Sequence, residues 1–222
     1  MRELPAGRDA VLLDFSGDPH PSVATLKAHS VLRAAVSAGL LPGVLDVIPA
    51  ADTVLVQAEP GTGLDELSVR RALRRVDFTD GATDPSEELE PIAIPVHYNG
   101  IDLDEVAGRC GLPVAEVIAA HAETRWRVQF MGFAPGFGYL VPQHNSIAKV
   151  LTSLPRRDVS RPHVPAGSVA VAAGYSGVYP RTGPGGWWIL GSTDIALWDN
   201  NSARPALLRP GAVVRFTERA GR

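Results

Sequence analysis

Cysteine is nearly missing from this chain: Cys110 is the single one among 222 residues. No internal disulfide can form, which fits a reducing compartment, and a cytoplasmic location is expected. Long apolar runs are missing as well. No stretch of about 18 apolar residues occurs, and no basic segment followed by an apolar one opens the chain, so neither a membrane span nor a secretion signal is expected. Positive charge is not in excess. The net charge of −3 gives no pull toward a nucleic-acid backbone or an anionic lipid surface, and neither is expected as a partner. The six histidines show no HExxH spacing and no close carboxylate pairing, so no metal site is expected. A G-x-S-x-G elbow is also lacking, which leaves a serine-hydrolase site without motif support.

What is present suits an ordinary globular protein. Hydrophobic residues make up 45% and charged residues 20%, enough apolar material for a core that needs no staples. The length suggests one large domain or two small ones. Ala10–Phe15 reads as a first strand. Ser22 is placed to cap a helix that reaches about Ala38, with Ala28, Val31, Leu32 and Ala35 as its buried stripe and Gly39 as its stop. Val44–Ile48 and Thr53–Ala58 look like a hairpin, and Leu64–Val76 like a second helix with Asp65 and Glu66 in its first turn. This order predicts an α+β unit, a ferredoxin-like sandwich if one more strand completes the sheet. The acidic, breaker-rich stretch Thr79–Pro91 marks the boundary, giving domains 1–84 and 85–222.

The second half begins with a strand candidate, Ile92–Tyr98, whose Pro95 suggests an edge. Asp102 with Glu105 forms an aspartate version of a capping box for a short helix ending at Gly111. Pro113 starts another, with Val114, Val117, Ile118 and His121 on one face. The pair resembles a helix-turn-helix, but the second helix offers Glu116, Ala119 and Ala120 outward where base readers need Arg, Lys, Asn or Gln. It reads as scaffold, and His121 as a core or boundary histidine. From Met131 onward no helix is evident. Short strands between glycines and prolines predict an all-β barrel or sandwich.

Three stretches could carry chemistry. Met131–Leu140 (MGFAPGFGYL) is neither a phosphate loop nor a dinucleotide fingerprint. Its aromatics either fill a core or wall a pocket, with glycine backbone close to a ligand. Leu154–His163 (LPRRDVSRPH) packs Arg156, Arg157, Arg161 and His163 between turn residues. It reads as a solvated loop or as a site for phosphate, carboxylate or carbamate, since arginine forks bind two oxygens at once. Val164–Gly191 reads as strands and turns forming one wall of the same surface. Ser168 lies on a strand there and reads as a hydrogen-bonding residue, not a nucleophile. Cys110 reads as structural.

These segments carry a family resemblance. GFAPGFGYL, PRRDVSRPHVPAGSVAVA, GYSGVYP, GPGGWWILG and LLRPGAVVRF occur in the order seen in the allophanate hydrolase subunit 1 family. That family takes in the B subunit of bacterial 5-oxoprolinase and an inhibitor of a sporulation histidine kinase, and it is similar to part of the carboxyltransferase region of urea carboxylase. The resemblance implies a ferredoxin-like N-terminal domain and a cyclophilin-like β-barrel. It also implies a partner, the subunit 2-type protein with a homologous barrel, and a possible third hydrolase subunit. Its pattern places Gly132, Pro135, Gly136 and Tyr139 in the first motif, Arg157, Pro165, Gly167 and Ser168 in the second, and Gly177, Tyr179 and Pro180 in the third.

The implied function is a subunit of an ATP-dependent amidohydrolase that opens 5-oxoproline to glutamate or cleaves a related C–N bond, active only with its partner. ATP is the implied cofactor, whether bound by this chain or by the complex. The arginine cluster would hold phosphate or carboxylate, and His163, beside it, is the candidate base. Two alternatives stand beside this: a regulatory inhibitor of a sensor histidine kinase, and half of a biotin-dependent urea carboxyltransferase site. No Met-Lys-Met biotin carrier is in the chain, so biotin would have to come from elsewhere.

Overall fold

A computed structural model describes residues 1–74, 90–143 and 145–219. The chain divides into two compact units, Met1–Glu87 and Glu88–Arg222. The expected boundary at 84/85 and most of the expected linker lie outside the described residues.

Among the described residues, the first unit is a four-stranded antiparallel sheet with two helices. Its elements are β1 (Arg2–Pro5), β2 (Ala10–Asp14), α1 (Pro21–Ser37), β3 (Val44–Pro49), β4 (Thr53–Ala58) and α2 (Glu66–Leu73). The strand order is β1-β2-β4-β3. Val11, Leu13, Val54 and Val56 alternate inward along β2 and β4 and meet Ala28 and Leu32 of α1 and Val69 and Leu73 of α2. The expected hairpin is β3–β4. The sequence reading missed β1 because RELP has no buried alternation; only its ladder to β2 defines it. The expected Ser22 cap is also corrected. The helix begins at Pro21, whose ring fixes φ and whose missing N–H is one the first turn could not have paired anyway, and no side chain caps it. Asp65 stands just outside α2 and accepts the Ser68 N–H at 3.1 Å. Val76 lies outside the described residues.

The second unit is a nearly closed barrel of mixed strands. It contains β5 (Ile92–Val96), α3 (Leu103–Cys110), α4 (Val114–Glu123), β6 (Arg125–Met131), β7 (Gly138–Gln143) and α5 (Ser146–Ser153). The chain continues through β8 (Arg161–Val164), β9 (Ser168–Ala172), β10 (Tyr175–Val178), β11 (Gly183–Gly185), β12 (Trp188–Ser192) and β13 (Val213–Glu218). Seven strands run in the order β12-β9-β10-β7-β6-β13-β5, while β8 and β11 form a separate ribbon. Neighbours are antiparallel except β13 and β5.

The two ends of this sheet meet. His97, just past β5, and Ser192 of β12 exchange backbone hydrogen bonds of 2.9 and 2.8 Å. Gly191 permits the approach, because a Cβ there would lie 2.3 Å from the His97 carbonyl oxygen. Ile94, Val96, Trp126, Val128, Leu140, Val178, Val214 and Phe216 form one buried cluster. A second packs α3, α4 and α5, through Leu103, Val106, Val117 and Leu151, against Ala170, Ala172, Trp188 and Leu190.

Helix α5 corrects the expectation of no helix beyond Met131. Asn145 starts it by accepting the N–H groups of Ile147 and Ala148 at 3.0 and 3.1 Å, and Ala148 and Leu151 are its buried face.

Candidate anion-binding site

The arginine loop is organised by a residue the sequence assigned elsewhere. Asp102 is 2% exposed, and its carboxylate does not cap α3. Its Oδ1 accepts from Arg157 Nη1 at 3.0 Å and from Arg161 Nη2 at 2.6 Å. Its Oδ2 accepts from Arg161 Nη1 at 2.9 Å and from the Ile189 N–H at 2.8 Å. Two guanidiniums offer a buried carboxylate far more than a helix N–H does, so the expected capping box gives way to an ion cluster. That cluster ties the start of α3 to the loop after α5, to β8 and to β12. Trp188 completes it. The Arg157 and Arg109 guanidiniums lie over its indole, 4.9 and 4.6 Å from the ring centroid, and its Nε1–H donates to the Pro155 carbonyl at 2.7 Å. The Arg157 N–H donates to the Gly186 carbonyl, pinning the loop backbone.

Beside this cluster lies a chain of aromatic rings. Phe137 is buried at its centre, with Phe133, Tyr139, Tyr179 and Trp187 packed edge-on around it at 5.0 to 5.5 Å. Tyr139 also stacks on Phe130 at 4.3 Å. The two readings of Met131–Leu140 therefore divide by residue. Phe137 fills a core, whereas Phe133 stands 56% exposed at φ +64°, an uncommon setting for an aromatic residue. Gly132, Pro135 and Gly136 shape the turn that presents it.

Tyr179 links the rings to the arginines. Its phenol oxygen occupies space that a Cβ on Gly185 would enter, only 2.3 Å away. Burial pushes its pKa up, while the nearby Trp187 backbone N–H and the charges of Arg156 and Arg161 oppose that rise. The Gly167 N–H donates to the Tyr179 carbonyl at 2.7 Å, and the Tyr179 N–H to the Ser168 carbonyl at 2.9 Å. Pro165 and Gly167 thus form the turn into β9. Ser168 is buried at the head of that strand.

The structure thus brings Arg157 and Arg161 together on Asp102, leaves Arg156 exposed, and buries Tyr179 to 2% exposure among the rings. His163 is exposed on β8 and makes no side-chain hydrogen bond among the described residues, so nothing orients its ring as a base's partner would.

A second polar cluster escaped the sequence reading. His121 of α4 is fully buried. Its Nδ1 lies 2.8 Å from the Tyr98 hydroxyl and its Nε2 2.8 Å from the Ser176 hydroxyl of β10. Its ring stacks on Phe216 at 4.3 Å. Burial pushes its pKa down to about 3, so the imidazole is neutral, one nitrogen donating and the other accepting. Burial, aided by Glu218, raises the Tyr98 phenol. Histidine on an apolar stripe pointed to burial, but its two hydroxyl partners, far apart in sequence, gave no local signal.

Among the described residues, no group of three or more His, Cys, Asp or Glu could hold a metal ion, and no helix is long and apolar enough to cross a membrane. Cys110 is half-buried, and burial raises its thiol pKa.

The family pattern of the carboxyltransferase domain, subdomain C and D, matches residues 1–208. The chain belongs to this family. Among curated relatives, it is 36% identical to the 5-oxoprolinase B subunit of Escherichia coli O157:H7 over 95% of this chain and 92% of the relative. It is 35% identical to the 5-oxoprolinase B subunit of Bacillus subtilis (strain 168) over 79% of this chain and 75% of the relative. The resemblance drawn from the motifs is therefore confirmed. Among solved structures, TTHA0988 aligns with a TM-score of 0.76 at 36% identity, over 96% of this chain; the chain spans 40% of the length of that one. The Kluyveromyces lactis urea carboxylase aligns with a TM-score of 0.62 at 16% identity, over 98% of this chain and 22% of that one, a likeness of fold alone.

Proposed function

We propose that this carboxyltransferase-family chain is the B subunit of a 5-oxoprolinase-type complex that hydrolyses a C–N bond other than a peptide bond. The observation that carries the proposal is the 36% identity to a 5-oxoprolinase B subunit along 92% of that relative's length. The first unit is then a ferredoxin-like sandwich whose fourth strand is the N-terminal β1, and the second a cyclophilin-like barrel, with the boundary near 84/85. The partners are a subunit 2-type protein with a homologous barrel and a third hydrolase subunit. The setting is cytoplasmic.

ATP, when bound by the complex, supplies the phosphoryl group that makes a lactam carbonyl carbon electrophilic. This chain has no glycine-rich loop followed by Lys-Ser/Thr, so its own contribution fits anion binding, not a nucleotide cradle. The arginine loop holds phosphate or carboxylate, and backbone donors of the Gly132–Gly136 turn face developing negative charge. His163, two residues after Arg161 on β8, is the candidate to move a proton. The likeness to urea carboxylase is one of fold and lends no weight to biotin transfer.

Reconstitution tests this. The chain is co-purified with a subunit 2-type protein and the third subunit, then given 5-oxoproline and ATP. Formation of glutamate, ADP and phosphate is expected. No glutamate with all components folded would overturn the proposal.

A further inference from the structure

The first unit's sheet has a second face, and that face is apolar at its centre. Both helices pack on the face that holds Val11, Leu13, Val54 and Val56. Glu3 turns to the same side, where it accepts from Arg70 of α2 at 2.7 Å, so Leu4 turns to the other. The ladders then align Leu4 with Leu12, Leu12 with Leu55, and Leu55 with Ile48. Four aliphatic side chains thus form one row across all four strands. Leu4 and Ile48 are 40% and 41% exposed, and Leu12 and Leu55 are half-buried. A sheet that keeps one face in water alternates apolar inward with polar outward. β2 (AVLLD) and β4 (TVLVQA) break that alternation at their middle outward position. The rows on either side are polar: Arg2, Asp14 and Thr53 above, Gln57 and Asp46 below. An apolar stripe with a polar rim marks a protein contact.

Two features select the occupant. The rim is already neutral, because Arg2 pairs with Asp14, and Arg33 of α1 pairs with Asp46 at 3.1 Å. Nothing on the face draws a charged partner, and nothing repels an identical face. The stripe is also close to palindromic. A two-fold axis parallel to the strands lays Leu4 of one copy over Ile48 of the other, and Leu12 over Leu55, so like volumes meet in an isologous contact.

We infer that the helix-free face of the first unit's sheet is a contact between two copies of this chain, centred on Leu12 and Leu55. Strands about 4.8 Å apart and outward rows about 7 Å apart make the face roughly 400 Å² per copy. That is about half of the ~800 Å² per partner in a standard interface. The dimer is therefore weak and reversible, with a dissociation constant on the order of 100 µM. The inference goes beyond the proposed reaction and does not depend on it.

The test uses the full-length chain. Sedimentation equilibrium from about 5 to about 500 µM brackets that constant, and thermal unfolding is followed in parallel. The average mass of wild type is expected to climb from one chain toward two across this range. Leu55→Lys puts a charge at the centre of the stripe and is expected to weaken association tenfold or more with an unchanged unfolding midpoint. Because that variant could fail to fold, Leu4→Lys is added at the exposed edge, where a severalfold loss is expected. Leu67→Lys is the control. Leu67 lies on α2 and is 67% exposed, and association within twofold of wild type is expected. A wild type that stays monomeric to the top of the range overturns the inference. If Leu55→Lys then blocks co-purification with the subunit 2-type protein, the face belongs to that partner instead. Wild-type association in both Leu55→Lys and Leu4→Lys also overturns it, as does a loss in Leu67→Lys alone. If the chain dimerises as inferred but the reconstituted complex makes no glutamate, the proposed reaction fails and this contact stands.

Discussion

Two buried polar clusters brace the barrel unit, and they differ in charge. The Asp102 cluster gathers a carboxylate and two guanidiniums where α3, β8 and β12 meet, with both arginines still about a quarter open to water. The His121 cluster is wholly neutral. A hydroxyl, an imidazole and a second hydroxyl run in line between the segment after β5, helix α4 and strand β10. A charged hub can be buried only because each partner compensates another, so removing one member leaves the rest exposed to the full cost of desolvation. A neutral relay costs less to bury, but it fails once a proton is forced upon it.

Acid separates the two clusters most strongly. The folded-state pKa of His121 is held down at about 3 against an ordinary value of 6.5. The unfolded chain therefore takes up a proton that the folded chain refuses. Stability from this source is intact above about pH 6.5 and is lost as pH falls toward 3, at about 1.4 kcal/mol per pH unit and up to about 4–5 kcal/mol in all. Urea unfolding of wild type and His121→Leu across that range checks it. The variant is expected to lack this part of the slope, and parallel losses in the two proteins would point to another group. Next in size is Asp102→Ala. It strands two guanidiniums and the Ile189 N–H and is expected to cost about 3–5 kcal/mol at neutral pH, measured by the same unfolding curves.

Ser176→Ala weakens the neutral relay at one end only. The imidazole keeps Tyr98 but loses its second partner, for an expected cost of about 1–3 kcal/mol in the unfolding free energy. The smallest effect is a surface control in the first unit. Arg33 and Asp46 pair at 3.1 Å, both about half exposed. Arg33→Ala is expected to change stability by less than about 1 kcal/mol, and added salt to narrow even that difference.

The sequence spoke clearly where structure is local. The α1 stripe, the β3–β4 hairpin and the Gly111 stop of α3 all follow from spacing and residue type, and all are present. It spoke weakly where an element has no buried face of its own, as with β1, held only by pairing. In the candidate site the arginines were conspicuous but their anchor was not. Asp102 followed by Glu105 reads as a helix cap, and no local rule says that a carboxylate will turn instead to arginines 55 and 59 residues away. Long-range electrostatics overrode a correct short-range preference. His121 is buried as its apolar stripe suggested, but its serine partner, 55 residues downstream, left no local sign.

The closing of the barrel bears on how such a chain leaves the ribosome. Among the described residues, β5 is the first strand of its unit to be made, yet its ladder partner is β13, the last. Its other neighbour, the seam at Ser192, also emerges late. Throughout synthesis Ile92–Val96 is therefore an apolar strand without a place in a sheet, with Pro95 blunting its edge against stray pairing. Docking of that strand is expected to be slow, because it joins segments more than a hundred residues apart in sequence.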